Sequence, residues 1–145
     1  MNKANPRGNT LTFLIAEDDP DDRMLIEQAF NESGLSPVLH FVDDGIKLIE
    51  YLFSMVKHAE TVASPELVCI LLDLNMPRKN GLEALREIRQ KPEFEDLPVI
   101  VLTTSDSEYD RKYCSELGVS NYFTKPGSFA DLLDIIRKIG TLCLS

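Results

Sequence analysis

Four apolar runs in this chain each end in polar residues capable of chemistry. Leu11 to Ala16 is followed by Glu17-Asp18, and Leu67 to Leu72 by Asp73. Val99 to Leu102 leads into Thr103-Thr104-Ser105, and Val119 to Phe123 precedes Lys125-Pro126. Three carboxylates gathered at one point repel one another and raise each other's pKa unless a cation joins them. So few acids, with coordination positions left for water and phosphate oxygens, describe a Mg²⁺ site rather than a closed Ca²⁺ cage. No cysteine or histidine stands beside Glu17, Asp18 or Asp73 to favour a softer metal. Lys125 adds a second positive charge, and Thr103 adds a hydroxyl. A carboxylate flanked by a metal ion, an ammonium and a hydroxyl is arranged to receive a phosphoryl group as an acyl phosphate.

These groups act together only if the fold brings the run ends to one place. Apolar runs and helical patterns alternate five times along the chain. Asp19 caps a first helix with Pro20 in its first turn, and Gly34 stops it after Leu25, Ile26, Ala29 and Phe30. Val38 to Val42 reads as the second strand, and Asp43-Asp44-Gly45 as cap and turn residues. A second helix follows with Ile46, Ile49, Leu52, Phe53 and Val56 on its inner face, and 57–66 is a polar connection. The unbroken apolar run Leu67 to Leu72 marks a strand buried on both faces. Asn75 to Gly81 is a loop before a helix carrying Leu82, Leu85 and Ile88. Ser105 and Glu108 form a capping box for the fourth helix, which Gly118 ends. Ser128 and Asp131 cap the last helix, whose stripe is Phe129, Leu132, Leu133, Ile136 and Ile139. Five such units predict an α/β fold, a doubly wound (βα)5 with one parallel sheet of order 2-1-3-4-5. In that order the first and third strands are neighbours, so Glu17, Asp18 and Asp73 converge at their carboxyl ends.

Composition narrows the function. The chain has 145 residues, 43% hydrophobic and 27% charged, an ordinary balance for one globular domain. Fifteen Lys and Arg against 24 Asp and Glu leave a net charge of −9, which disfavours direct binding to nucleic acid or anionic membrane. No run approaches the roughly 18 apolar residues of a membrane span, and Met1 to Thr10 lacks a signal-peptide core. Cys69, Cys114 and Cys143 are odd in number and widely spaced, reading as reduced thiols of a cytoplasmic protein. His40 and His58 make no metal-ligand pattern.

Taken together, Phe13-Leu14-Ile15-Ala16-Glu17-Asp18, Leu72-Asp73-Leu74-Asn75-Met76-Pro77 with Gly81, Pro98 to Ser105 and Gly118 to Pro126 resemble the receiver domain of bacterial two-component response regulators. The likeness runs from about Thr12 to Ile139 and implies a flavodoxin-like fold. It implies Asp73 as phosphoacceptor, with Glu17, Asp18 and the Asn75 backbone carbonyl on Mg²⁺. It also implies Thr103 and Lys125 on the phosphoryl group, and Tyr122 as the switch aromatic. Residues 1–10 are expected to be a flexible tail and 11–145 the receiver, with no room for an output domain. The segment Arg89 to Thr104, with Pro92 and Glu95-Asp96-Leu97-Pro98, and the long stretch between Leu52 and Leu67 are similar to the small regulators paired with phytochrome-type histidine kinases. The implied partners are a sensor histidine kinase of that type and a second copy of the chain. The surface for the second copy would be helix 4, strand 5 and helix 5, with Tyr109, Tyr113 and Phe129 as anchors. Glu17 in place of the more frequent Asp, Thr104 in place of a smaller residue, and Gly127 in place of an aromatic depart from the family pattern.

Three rival functions fit these residues less well. A haloacid-dehalogenase-like phosphatase needs a second Asp two places after its nucleophile, where this chain has Asn75. A flavodoxin-like cofactor carrier needs a phosphate-cradling loop after the first strand, where this chain has Glu17-Asp18-Asp19-Pro20-Asp21-Asp22. A phosphorylation-independent interaction module would tolerate the loss of Asp73 or Lys125, and both are present.

Overall fold

Side-chain alternation along three central strands splits the core into two layers. The computed structural model describes residues 11–59 and 66–144; the tail expected over 1–10 lies outside the described residues. Strands β1 (Leu11–Ala16), β2 (Val38–Val42), β3 (Glu66–Leu72), β4 (Val99–Thr103) and β5 (Asn121–Thr124) form one parallel sheet of order β2-β1-β3-β4-β5. Helices α1 (Pro20–Ser33) and α5 (Phe129–Leu144) cover one face of the sheet. Helices α2 (Gly45–Ala59), α3 (Gly81–Arg89) and α4 (Glu108–Glu116) lie toward the other. Phe13, Ile15, Cys69, Leu71, Ile100 and Leu102 face α1 and α5. Their sequence neighbours Leu14, Ala16, Ile70, Leu72, Val99 and Val101 pack with Leu48, Leu52, Leu85 and Ile88. Burying both faces removes water from both sides of β3 and β4, and each truncation of a buried Leu or Ile to Ala costs about 2–5 kcal/mol.

Local sequence explains most element ends. Asp19 accepts from the amides of Asp21 and Asp22 and caps α1, as expected. Ser128 accepts from the Asp131 amide at the start of α5. The cap of α4 is a correction: Ser107, not Ser105, accepts from the Asp110 amide, and the helix starts at Glu108. Ser105 instead donates to the Asp110 carboxylate at 2.5 Å. Strand β5 begins at Asn121 rather than Val119, because the Val119 amide bonds back to Cys114 at the end of α4. The inner face of α2 is also rotated: Leu48 is fully buried, while Ile46 and Phe53 are exposed. Helix α3 carries an unforeseen capping box, Asn80 with Glu83. The Arg89 guanidinium binds the carbonyls of Phe94, Leu97, Leu117 and Gly118, fastening the end of α3 to the turns beside it. Among the described residues, no helix is long and apolar enough to cross a membrane.

Candidate functional site

Two backbone hydrogen bonds carry the sheet register one residue past the strand ends. The Asp73 amide donates to Ala16 O at 3.0 Å, and the Glu17 amide to Val42 O at 2.9 Å. Asp73 and Glu17 therefore emerge side by side at the carboxyl edge, where doubly wound sheets bind their ligands. Glu17 is 2% exposed and Asp73 5%, while Asp18 is open to solvent. One carboxylate oxygen from each of the three lies within 4.8 Å of the others, the one such acid group among the described residues. Hard oxygen donors at this separation suit a small divalent cation.

Three further groups converge on Asp73. The Thr103 hydroxyl, fully buried, donates to Asp73 Oδ1 at 2.8 Å, and the Asn75 amide reaches the same oxygen at 3.0 Å. Lys125 Nζ sits 3.0 Å from Asp73 Oδ2 and 2.7 Å from Glu17 Oε1. Lys125 is aimed from β5 by its own amide, which donates to Thr103 O at 2.7 Å. Gly81 closes the far side: a Cβ there would collide with the Asp73 carbonyl oxygen. Burial pushes the Glu17 carboxyl up to about 7, against the pull of Lys125 and the Asp19 amide, with the Asp73 charge adding to the rise. A second cation in the acid group would relieve that repulsion. Burial alone would lower the Lys125 ammonium, but its bonds to Asp22, Glu17 and Asp73 raise it beyond the ordinary lysine range. It is a fixed positive charge at any physiological pH.

The structure gathers Glu17, Asp18, Asp73, Asn75, Thr103 and Lys125 at one edge. The Asn75 side chain is exposed and donates to Thr104 Oγ1 at 3.2 Å, so these two rim the opening together. Tyr122 lies further off: its hydroxyl donates to Ser105 O at 2.9 Å, and its half-buried ring packs against the α2–α3–α4 layer. The Arg111 guanidinium stacks 4.5 Å from that ring. Of the expected surface anchors, Tyr109 is exposed and Tyr113 half-buried, but Phe129 packs on the opposite layer with α1. Phe129 instead lines a cavity of about 120 Å³ with Asp22, Leu25, Ile26, Lys125 and Leu132. All described peptide bonds are trans, Lys125-Pro126 included.

One site contact and one nearby ion pair are not evident from the sequence. Asp22 Oδ2 takes a third bond from Lys125 at 2.7 Å. Only its place one turn into a helix that begins beside Glu17 hinted at this. Asp44, read as a turn residue, is 1% exposed and paired with Arg78.

Similarity to known proteins agrees with this geometry. The family described as "Response regulator receiver domain" matches residues 13–137. The response regulator Rcp1 of Synechocystis sp. is 36% identical over 132 residues, 91% of this chain and 88% of its own length. Among solved structures, the phosphorylated cyanobacterial phytochrome response regulator RcpA superposes with a TM-score of 0.80 at 35% identity, covering 95% of this chain and 96% of that one. The Mn²⁺-bound form of Rcp1 gives 0.77 at 35% identity, with 90% and 91% covered. A match that spans nearly the whole fold, with relatives this similar over most of their length, places this chain in the response regulator receiver domain family.

Proposed function

We propose that Asp73 takes a phosphoryl group from a phosphohistidine of a sensor histidine kinase, with Mg²⁺ held by Glu17, Asp18, Asp73 and the Asn75 backbone carbonyl. The observation that carries this reading is the Asp73 carboxylate itself. It is nearly buried, yet it is held in one orientation by a hydroxyl, an amide and an ammonium. An Asp73 oxygen attacks phosphorus, and the P–N bond breaks with its electron pair on the imidazole. A bound Mg²⁺ supplies charge neutralisation for the transferring oxygens. Lys125 and the Thr103 hydroxyl are placed to turn from the carboxylate to the new phosphoryl oxygens. The Asn75 amide cannot serve as a general acid or base, so the acyl phosphate persists as a signal. The metal-bound and phosphorylated states of the two relatives support both halves of the proposal. Incubation with acetyl phosphate and Mg²⁺ adds a single phosphoryl group to the intact mass, and chelation of the metal prevents it. Uptake that ignores chelation overturns the metal's role.

Metal affinity divides unequally between the two acids after β1. Both Glu17 oxygens already have protein partners, Lys125 and the Asp19 amide, whereas Asp18 is exposed and free to turn. Asp18→Ala is expected to weaken Mg²⁺ binding about tenfold, and Glu17→Ala by distinctly less. Calorimetric titration measures both, and wild-type affinity in both variants removes the metal site from this edge.

The output is a change of surface. The Thr103 hydroxyl holds Asp73 here, and Tyr122 is pinned to Ser105, two residues beyond Thr103. Drawing Thr103 toward a phosphoryl group moves this strand end and alters the Tyr122 pocket, a two-state element biased by about 3–5 kcal/mol. The face of α4, β5 and α5 would then change its affinity for a second copy or for the kinase, which the naming of RcpA as a phytochrome response regulator points to as phytochrome-type. A cytoplasmic location and the absence of direct nucleic-acid contact belong to the same reading. Sedimentation with Mg²⁺ and beryllofluoride is expected to raise the mass of wild type and not of Tyr122→Ala. A mass that stays constant in wild type, with unaltered kinase binding, leaves the switch without support.

A further inference from the structure

Loop 75–80 leaves the phosphoacceptor and returns to α3, and its outer bend is an unfavourable conformation. Arg78 has φ 65, a left-handed geometry that residues with side chains seldom adopt unless their surroundings hold them there. The surroundings come from the turn between β2 and α2. Arg78 Nη2 lies 2.6 Å from Asp44 Oδ2, and the Asp44 side chain is only 2% exposed. The other Asp44 oxygen accepts from the Lys47 amide at 2.8 Å. Next to it, the Gly45 amide donates to Lys79 O at 2.8 Å, and a Cβ on Gly45 would overlap that same carbonyl. Burial pushes the Asp44 carboxyl up, but the Lys47 amide and the Arg78 guanidinium outweigh it and hold it below the usual carboxylate range. On the inner side the loop is tied by the Gly81 amide to Leu74 O and by the Asn80 cap. Cap and turn duties alone would not require Asp44 to be buried or Arg78 to be bent toward it.

We propose that Asp44 and Arg78 are positioning residues of the Asp73 site, an ion pair that clamps loop 75–80 so that the Asn75 backbone faces Asp73. This rests on the reading of Asp73 as the metal-assisted acceptor. The clamp acts at a distance: neither side chain touches the acid group. Its removal releases the outer bend, and the Asn75 amide loses its fixed approach to Asp73 Oδ1. Partners that orient a metal site from outside the ligand set are commonly worth about tenfold in affinity.

Arg78→Asn removes the guanidinium and its pairing with Asp44, while Asn tolerates the left-handed backbone. Asp44→Asn keeps an acceptor for the Lys47 amide and serves as the second variant should the first fail to fold. Arg78→Lys restores the charge. Calorimetry is expected to give about tenfold weaker Mg²⁺ binding in the two Asn variants and recovery in Arg78→Lys. Amide exchange at Asn75 should accelerate while amides in β4 keep their protection. Wild-type Mg²⁺ affinity and Asn75 protection, with only a lowered melting temperature, overturn the proposal and leave a structural ion pair. Absence of Mg²⁺ binding in the wild-type chain overturns the acceptor reading instead, while Asn75 exchange still reports on the clamp.

Discussion

Asp73→Asn is expected to abolish phosphoryl uptake, a loss on the order of a thousandfold or more in rate. The substitution is nearly isosteric, so the fold around it should survive. An amide oxygen at this place still accepts from the Thr103 hydroxyl and the Asn75 amide, and Lys125 keeps Glu17 and Asp22. What disappears is the anionic oxygen that attacks phosphorus. The Asp73 charge also disappears, and with it one of the contributions that hold the Glu17 carboxyl up to about 7. Glu17 should therefore titrate lower in the variant. Intact-mass spectrometry after acetyl phosphate and Mg²⁺ reads the first effect, and carboxyl titration by NMR reads the second. A variant that takes up phosphate at the wild-type rate removes Asp73 from its role.

Lys125→Met carries the second large effect, on stability and on its dependence on pH. The ammonium is 13% exposed and is the shared partner of two carboxylates, Glu17 at 2% and Asp73 at 5%, besides the half-exposed Asp22. Removing one member of a buried ion cluster leaves charge without compensation, a penalty of about 3–5 kcal/mol. The sign of the pH effect follows from Glu17. Its carboxyl lies near 7 when folded and 4.5 in the reference state, so the folded chain binds the extra proton between those values. Stability therefore falls as pH rises through that window and levels off above it. Without Lys125 the folded value moves higher still, extending the fall above pH 7. The variant's melting temperature should drop further below wild type at pH 8 than at pH 5, and Mg²⁺ should recover part of the difference. Equal losses at both pH values mean that Lys125 does not govern the acid group.

Much of this molecule is legible along the chain because the governing interactions are short-range. Apolar runs such as Leu67 to Leu72 declare buried strands, and the polar residues just beyond them must reach the carboxyl edge of a parallel sheet. That is why the positions of Glu17, Asp73, Thr103 and Lys125 follow from run ends together with strand order. Asp19, Gly34 and Ser128 mark helix ends for equally local reasons. Where two local solutions compete, the pattern misleads. Ser105 and Ser107 both offer an N-cap to α4, and the choice fell to Ser107 because Ser105 was drawn to Asp110. Ile46 and Phe53 have helical spacing with Ile49, but packing on the sheet turned Leu48 inward and left those two exposed.

Residue types and run ends thus determined the fold class, the acid group and the identity of its hydroxyl and lysine. Tertiary structure alone decided which charges meet. Asp22 and Lys125 are 103 positions apart, and Asp44 reaches Arg78 from a different crossover of the sheet. Nothing in local composition distinguishes these from other acids among the 24 in the chain. An ion pair depends on where whole helices and loops come to rest, and that placement is set by the packing of the two apolar layers, not by the residues that the pair joins.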